Sequence, residues 1–272
     1  MLEQVRRHCK EALDAKRLDL VYGVGNRKAG PAPRFFSTAE ELDELVLAGK
    51  EPLVFTCRPS DRNVVDLVRE RSPTAKLGIV ARGCDERALF ELAKRFQLSL
   101  DGIEIIGVAC DQAQAEECRC PRPYPKNLAF GTPLDKPVDD PVLEKLQRLP
   151  LEERLAFWRY QLSKCVKCYG CRNACPMCFC KECQMEGELF VPRGAQPPEF
   201  PTFHFVQLIH LADRCIDCGE CERACPMDIP LRLLKKSLRS EVRERFGYEA
   251  GVDPTTASPL GSIERGEPSH AE

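Results

Sequence analysis

The chain has 272 residues, 43% of them hydrophobic, enough to bury a core and to suit one large or two ordinary domains. Its 40 basic and 42 acidic side chains nearly cancel, so no charge excess recommends nucleic acid or an anionic membrane as a partner. Seventeen cysteines suit a reducing compartment in which most thiols are metal ligands, and no run approaches the roughly 18 apolar residues of a membrane span; the expectation is a cytoplasmic protein.

Leu2, Val5, Cys9, Leu13 and Leu20 keep helical spacing, with Cys9 as plain packing, and residues 18–24 read as a first strand followed by a Gly-rich turn at Gly23 and Gly25. After the Pro31-Ala32-Pro33 break, Ser37 or Thr38 caps a helix over 39–47, Glu41 completing a capping box. Strand 52–56, helix 61–70, strand 76–81, helix 85–96 and strand 103–109 follow. This alternation predicts an α/β N-terminal domain with a mostly parallel sheet.

Beyond Cys110 a Pro-rich stretch to about 141 reads as a linker or a cluster-binding loop. A helix is expected over 141–162, with Leu151, Leu155, Trp158 and Leu162 on one stripe and Trp158 in a core. Prolines 197, 198 and 201 precede a helix over 203–211, and 226–248 reads as a last helical region. Domains are expected at 1–140 and 141–249, the second mainly helical, with a disordered tail at 250–272 rich in Ser, Thr, Pro and Gly.

The chemistry lies in two copies of one cysteine phrase, Cys165-x-x-Cys168-x-x-Cys171-x-x-x-Cys175-Pro176 and Cys215-x-x-Cys218-x-x-Cys221-x-x-x-Cys225-Pro226. Three thiolates so spaced wrap one corner of a [4Fe–4S] cluster, while the fourth, ahead of proline, ligates the neighbouring cluster. The ligand sets therefore cross: Cys165, Cys168, Cys171 and Cys225 for the first cluster, Cys215, Cys218, Cys221 and Cys175 for the second. Structural zinc prefers separated pairs or Cys/His mixtures, and disulfide frameworks belong to short secreted chains. Lys164, Lys167, Arg172 and Lys181 beside the first run favour an added electron, whereas Asp217, Glu220, Glu222 and Asp228 beside the second disfavour it, so the first cluster is expected to have the higher potential.

Cys178, Cys180 and Cys183 crowd behind Cys175-Pro176 and serve either a third cluster, completed by a thiolate such as Cys57, or a partner interface. Cys84 and Cys110 stand at strand C-terminal ends, where open α/β sheets place their sites, and with Cys118 and Cys120 form another candidate ligand group. The alternative for Cys84 and Cys110 is small buried packing. Asp85 and Arg87 open a helix where backbone N–H groups and Arg82 suit a phosphate, or where Asp85 is only a cap. His204 and His210 read as surface or packing residues, and no acid–base or nucleophile pattern stands out.

Residues 76–89, Lys76 through Cys84-Asp85-Glu86-Arg87 to Leu89, followed by Ile105-Ile106-Gly107-Val108-Ala109-Cys110 and Cys118-x-Cys120, resemble the beta subunit family of coenzyme F-420-linked hydrogenases and formate dehydrogenases. The likeness covers residues 15–135. The stretch 165–225 resembles the two-cluster ferredoxin modules found beside such domains and in heterodisulfide-reductase-type complexes. These resemblances imply an electron-transfer subunit working with protein subunits of a formate dehydrogenase, hydrogenase or heterodisulfide reductase complex, or with ferredoxin. They also imply FAD and a further [4Fe–4S] cluster in the beta-type domain. FAD rests on the resemblance, since Gly23-Val24-Gly25-Asn26 lacks the third glycine of a dinucleotide fingerprint. The alternative function is a self-contained FAD and iron–sulfur oxidoreductase acting on coenzyme F-420 or a nicotinamide.

Overall fold

The computed structural model describes residues 1–47, 56–57, 62–136, 138–180, 182–186, 189, 192 and 194–260, with residues 56, 57, 62 and 63 described by their backbone only. Contacts divide the chain into two compact units, Met1–Asp139 and Asp140–Glu272.

The first unit runs α1 (Leu2–Asp14), β1 (Leu20–Gly25), β2 (Ala32–Phe36), a single 3-10 turn (Glu41–Glu44), β3 (Leu45–Val46), β4 (Thr56–Cys57), β5 (Arg62–Asn63), α2 (Val64–Arg69), β6 (Leu77–Ala81), α3 (Gly83–Lys94), β7 (Ile103–Val108), α4 (Gln112–Glu117) and β8 (Leu128–Phe130). The main sheet has the order β2-β1-β6-β7-β8, with β3 also on β1. The β1–β6, β6–β7 and β7–β8 pairings are parallel, and β2 and β3 join β1 antiparallel. All five residues of β6 are buried, as a central parallel strand covered on both faces requires. Val5, Cys9 and Ala12 of α1 pack with Val21, Phe36, Leu45, Val80 and Ile106, each large side chain contributing about 1.5–3 kcal/mol on burial. The mostly parallel α/β sheet is therefore present.

Several local expectations change. The capping box before residue 39 forms, with the Glu41 carboxylate accepting from the Ser37 N–H at 2.6 Å, yet only one 3-10 turn follows. Leu42 and Leu45 are drawn fully into the core, and Leu45 and Val46 pair with Gly25 and Val24 instead of continuing a helix. Gly23 and Gly25 belong to β1 and not to a turn: a Cβ on Gly23 would stand 2.8 Å from Leu45, and one on Gly25 2.4 Å from Arg34. The Pro31–Pro33 break is the start of β2, an edge strand, where proline costs no ladder bond. Most of the strand expected at 52–56 lies outside the described residues.

The stretch after Cys110 is no linker. It forms α4, a loop and β8, held by the Glu86 carboxylate, which accepts the Lys126 and Asn127 N–H groups, and by Arg87, which donates to the Arg122 carbonyl. Two glycines make room for this loop. A Cβ on Gly83 would lie 2.6 Å from the Tyr124 carbonyl oxygen, and one on Gly107 would lie 1.9 Å from that of Asn127.

The second unit contains α5 (Pro141–Arg148), α6 (Leu151–Ser163), α7 (Gly170–Asn173), α8 (Thr202–His210), α9 (Glu220–Arg223) and α10 (Leu231–Phe246), and no strand among the described residues. The single helix expected over 141–162 is broken at Leu149-Pro150, because the residue before a proline is pushed out of helical conformation. Of the expected stripe, Leu162 is buried, Leu151 and Leu155 are exposed, and Trp158 is half-buried against Phe157. The beginning of the expected tail is docked: Ala250, Gly251 and Ser258 are buried, and the Ser258 hydroxyl donates to Asp213. Residues 261–272 lie outside the described residues.

Gly107→Ala is expected to destabilise the first unit by about 1–3 kcal/mol or more, because its Cβ meets a backbone oxygen that cannot rotate away. Denaturant unfolding followed by circular dichroism checks this, and an unchanged midpoint would contradict the close approach.

Candidate metal centre

The two cysteine runs of the second unit fold alike. In the first, Lys167 and Tyr169 have left-handed φ of 52° and 59°; in the second, Asp217 and Gly219 occupy the matching positions with 57° and 84°. The left-handed steps turn backbone N–H groups toward the thiols. Lys167 N–H donates to Cys165 Sγ at 3.4 Å and Gly170 N–H to Cys168 Sγ at 3.5 Å, and the Asp217 and Glu220 N–H groups do the same for Cys215 and Cys218. Each run then enters a one-turn helix, α7 or α9. The two pack closely: a Cβ on Gly170 would stand 2.6 Å from the Ala224 carbonyl oxygen, so glycine is required there.

Cys165, Cys168, Cys171 and Cys225 line one partly enclosed pocket, with an apolar wall that includes Phe203, Ile229 and Leu231. Its empty volume is about 330 Å³, counting the part open to solvent. Cys168 is exposed, so the pocket reaches the surface there. Cys175 is electrostatically coupled to Cys218 and Cys221, and Cys215 to the same two, so the fourth cysteine of each run lies with the first three of the other.

Burial pushes the Cys171 thiol up to about 12 and that of Cys221 to about 11, and raises Cys165, Cys215 and Cys218 as well. Cys175 is raised well above the ordinary thiol value by its hydrogen bond with Cys178 and by burial. Thiols so desolvated become thiolates only if a positive group joins them. Among the described residues no three His, Cys, Asp or Glu side chains converge to hold a single metal ion. One Zn²⁺ needs four ligands at about 2.0–2.3 Å. A cubane takes each cysteine at a different iron, so soft donors spread around a pocket, with N–H groups aimed at sulfur, fit the larger group.

Lys235 of α10 is buried in the same region. Burial works against its charge, but negative charge on the sulfurs of Cys221, Cys175, Cys215 and Cys178 holds the ammonium well above the usual lysine value. Spacing alone gave no sign of this residue; the signal was a lysine one turn after Leu231, next to Leu233 and Leu234.

The three cysteines behind Cys175 separate. Cys178 is buried beside Cys175, with Gln207 Nε2 at 3.9 Å from its Sγ, and the Cys175 hydrogen bond holds its thiol below the ordinary value. Cys183 packs against the Met185 and Phe203 cluster and bonds Arg172, while Cys180 is exposed. The side chain of Cys57 lies outside the described residues.

In the first unit, Cys84 opens α3 just past β6, Cys110 follows β7, and Cys120 follows α4. These three are electrostatically coupled, and burial pushes the Cys84 and Cys110 thiols up to about 12. Cys118 stands at the C-cap of α4, its N–H bonded to Gln114 O at 3.0 Å. Arg82 caps α3, and its Nε donates to the buried Asp85 carboxylate at 3.0 Å. Burial works against the guanidinium charge, and Asp85 with the Cys84 and Cys110 thiols outweighs it. Asp85 accepts the Arg82 N–H at 2.9 Å and so is a cap. A pocket at the C-terminal ends of β1, β6 and β7 is lined by Val24, Val80, Arg82, Val108 and Gln114, among others.

Residues 196–230 match the 4Fe-4S dicluster domain, a span that holds the second cysteine run and none of the first. The chain is similar to formate dehydrogenase beta subunits. It is 42% identical over 125 residues to the F420-dependent formate dehydrogenase subunit beta of Methanocaldococcus jannaschii, covering 45% of this chain and 33% of that protein. It is 46% identical over 104 residues to the F420-dependent formate dehydrogenase 1 subunit beta of Methanococcus maripaludis, covering 38% and 27%. The chain thus matches about a third of the length of these relatives. No helix among the described residues is long and apolar enough to cross a membrane.

His204, also on the pocket wall, is buried, and burial together with the Lys235 ammonium holds its imidazole down at about 4. The unfolded chain therefore takes up a proton first as pH falls, so stability is lost from about pH 6.5 downward, by up to about 3 kcal/mol near pH 4. His204→Leu removes that loss, and its stability relative to the parent should rise over the same interval. A difference independent of pH would contradict the neutral buried imidazole.

Proposed function

We propose that the chain is an iron–sulfur electron-transfer subunit of a redox complex, relaying single electrons through two [4Fe–4S] clusters held by crossed cysteine sets. Cys165, Cys168, Cys171 and Cys225 hold the first, and Cys215, Cys218, Cys221 and Cys175 the second. The observation that carries this reading is the pocket lined by Cys165, Cys168, Cys171 and Cys225, because the first three and the last come from different runs. When bound, each cluster supplies a one-electron centre whose charge changes with little rearrangement. The chain's own residues hold it: N–H groups of the left-handed turns bond the cysteine sulfurs, and apolar Phe203, Ile229 and Leu231 limit water at the first set.

A further cluster on Cys84, Cys110 and Cys120, with Cys118 as the remaining candidate, belongs to the same reading, supported by the coupling of the first three thiols. The two-domain division into 1–140 and 141–249, a ferredoxin-like second domain and a cytoplasmic setting accompany it. The names of the relatives bring formate dehydrogenation and coenzyme F-420 into the proposal, with formate dehydrogenase subunits as the partners. The pocket at the strand ends beside Arg82 favours a second reading, in which that unit binds FAD and the clusters form an internal wire.

Anaerobically purified protein is expected to contain about eight irons and eight sulfides per chain for two cubanes, and about twelve with the further cluster. Cys218→Ser should remove or alter only one of the EPR signals. Colourless, zinc-containing protein would overturn the reading, and a stoichiometric flavin spectrum would favour the second one.

A further inference from the structure

This inference rests on the two-cluster reading and concerns which cluster takes an electron first. Residue type alone places acids around the second cysteine set and bases around the first. The structure pairs several of both. The buried Asp217 carboxylate accepts from Arg232 Nε at 2.7 Å, Glu220 pairs with Arg223, and Glu222 accepts the Arg232 N–H at 3.2 Å. Asp228 is exposed, where water screens it. Around the first set, Arg172 is paired with Glu186, and Lys167 Nζ donates to the Pro192 carbonyl at 2.5 Å. Lys181 lies outside the described residues.

Among the buried charges beside the two sets in the described residues, Lys235 is the one left without a carboxylate partner. It is 5% exposed, and the near partner of its Nζ is the Cys221 thiol. Helix α10 packs on α8 and α9 and brings this side chain among the sulfurs. It faces Cys221, Cys175, Cys215 and Cys178 most strongly, and Cys171 and His204 beyond them. Three of its four strongest partners thus belong to the second ligand set and the fourth, Cys178, to neither.

We propose that Lys235 is the residue that orders the two potentials, its buried ammonium raising the cluster on Cys215, Cys218, Cys221 and Cys175 above the cluster on Cys165, Cys168, Cys171 and Cys225. Taking up one electron makes a cluster one unit more negative, and a fixed positive charge in a medium of low dielectric favours that state. Lys164 and Lys167 at the first set are only half-buried, so water screens them more than it screens Lys235, and they contribute less. Electrons entering at the exposed Cys168 side would then pass inward to the second cluster.

The test is an EPR-monitored titration of the full chain with dithionite, signals being assigned with Cys168→Ser and Cys218→Ser. In the parent protein the second cluster should be reduced first. Lys235→Met, of similar length and no charge, should lower the second cluster's reduction equilibrium at least tenfold, about 59 mV for a one-electron couple, and move the first cluster less. Lys235→Arg should keep the parent order. A parent in which the first cluster is reduced first overturns the proposal, as does a Lys235→Met protein with full iron content and less than a threefold shift. Should Lys235→Met fail to retain iron, the parent order and Lys235→Arg decide. A parent protein without iron instead overturns the two-cluster reading itself.

Discussion

The second unit is organised around cysteine sulfur removed from water. A buried thiol resists ionisation, and the thiols of Cys171, Cys218 and Cys221 lie above the ordinary value for that reason, while Cys175 is raised by its hydrogen bond with Cys178 and by burial. Negative charge can reside there only where something positive answers it. The chain supplies part of that answer from its backbone, through left-handed turns at Lys167, Tyr169, Asp217 and Gly219, and part from Lys235. The close packing of α7 on α9, which Gly170 permits, keeps the two runs together, and Cys225 lines the pocket of Cys165, Cys168 and Cys171.

The first unit solves a related problem with different parts. Here a parallel sheet ends in a loop that returns across the strand ends, and Gly83 and Gly107 let that backbone lie where a side chain would otherwise stand. Glu86 and Arg87 then fix the loop by its amides and carbonyls, bringing Cys120 toward Cys84 and Cys110. Arg82, tied to Asp85, is the cation of this group as Lys235 is of the other. Both groups therefore pair desolvated sulfur with a buried base.

Much of this was legible from residues. The Cys-x-x-Cys spacing pointed to the eight sulfurs proposed as ligands, and the structure places four of them, Cys165, Cys168, Cys171 and Cys225, around one pocket. The buried strand Leu77 to Ala81 and the helix after it were legible because a five-residue apolar run followed by i, i+3, i+4 spacing has few other solutions. Tertiary competition was not. Leu42 and Leu45 satisfy a helical pattern, but the core needs Leu45 in a strand on Gly25, and packing outweighs a capping box of about 1 kcal/mol. The Pro33 strand was hidden because proline reads as a break until the strand is known to lie at an edge. Lys235 and the pairing of Asp217 with Arg232 were hidden for the same reason: partners distant in sequence decide whether a charge counts.

The crossing of the two ligand sets is the claim on which the rest turns, and Cys225→Ser tests it most directly. Its EPR spectrum should show the same signal altered as in Cys168→Ser, with the signal sensitive to Cys218→Ser left unchanged. If Cys225→Ser instead altered the signal that Cys218→Ser alters, each run would hold its own cluster and the account would be contradicted.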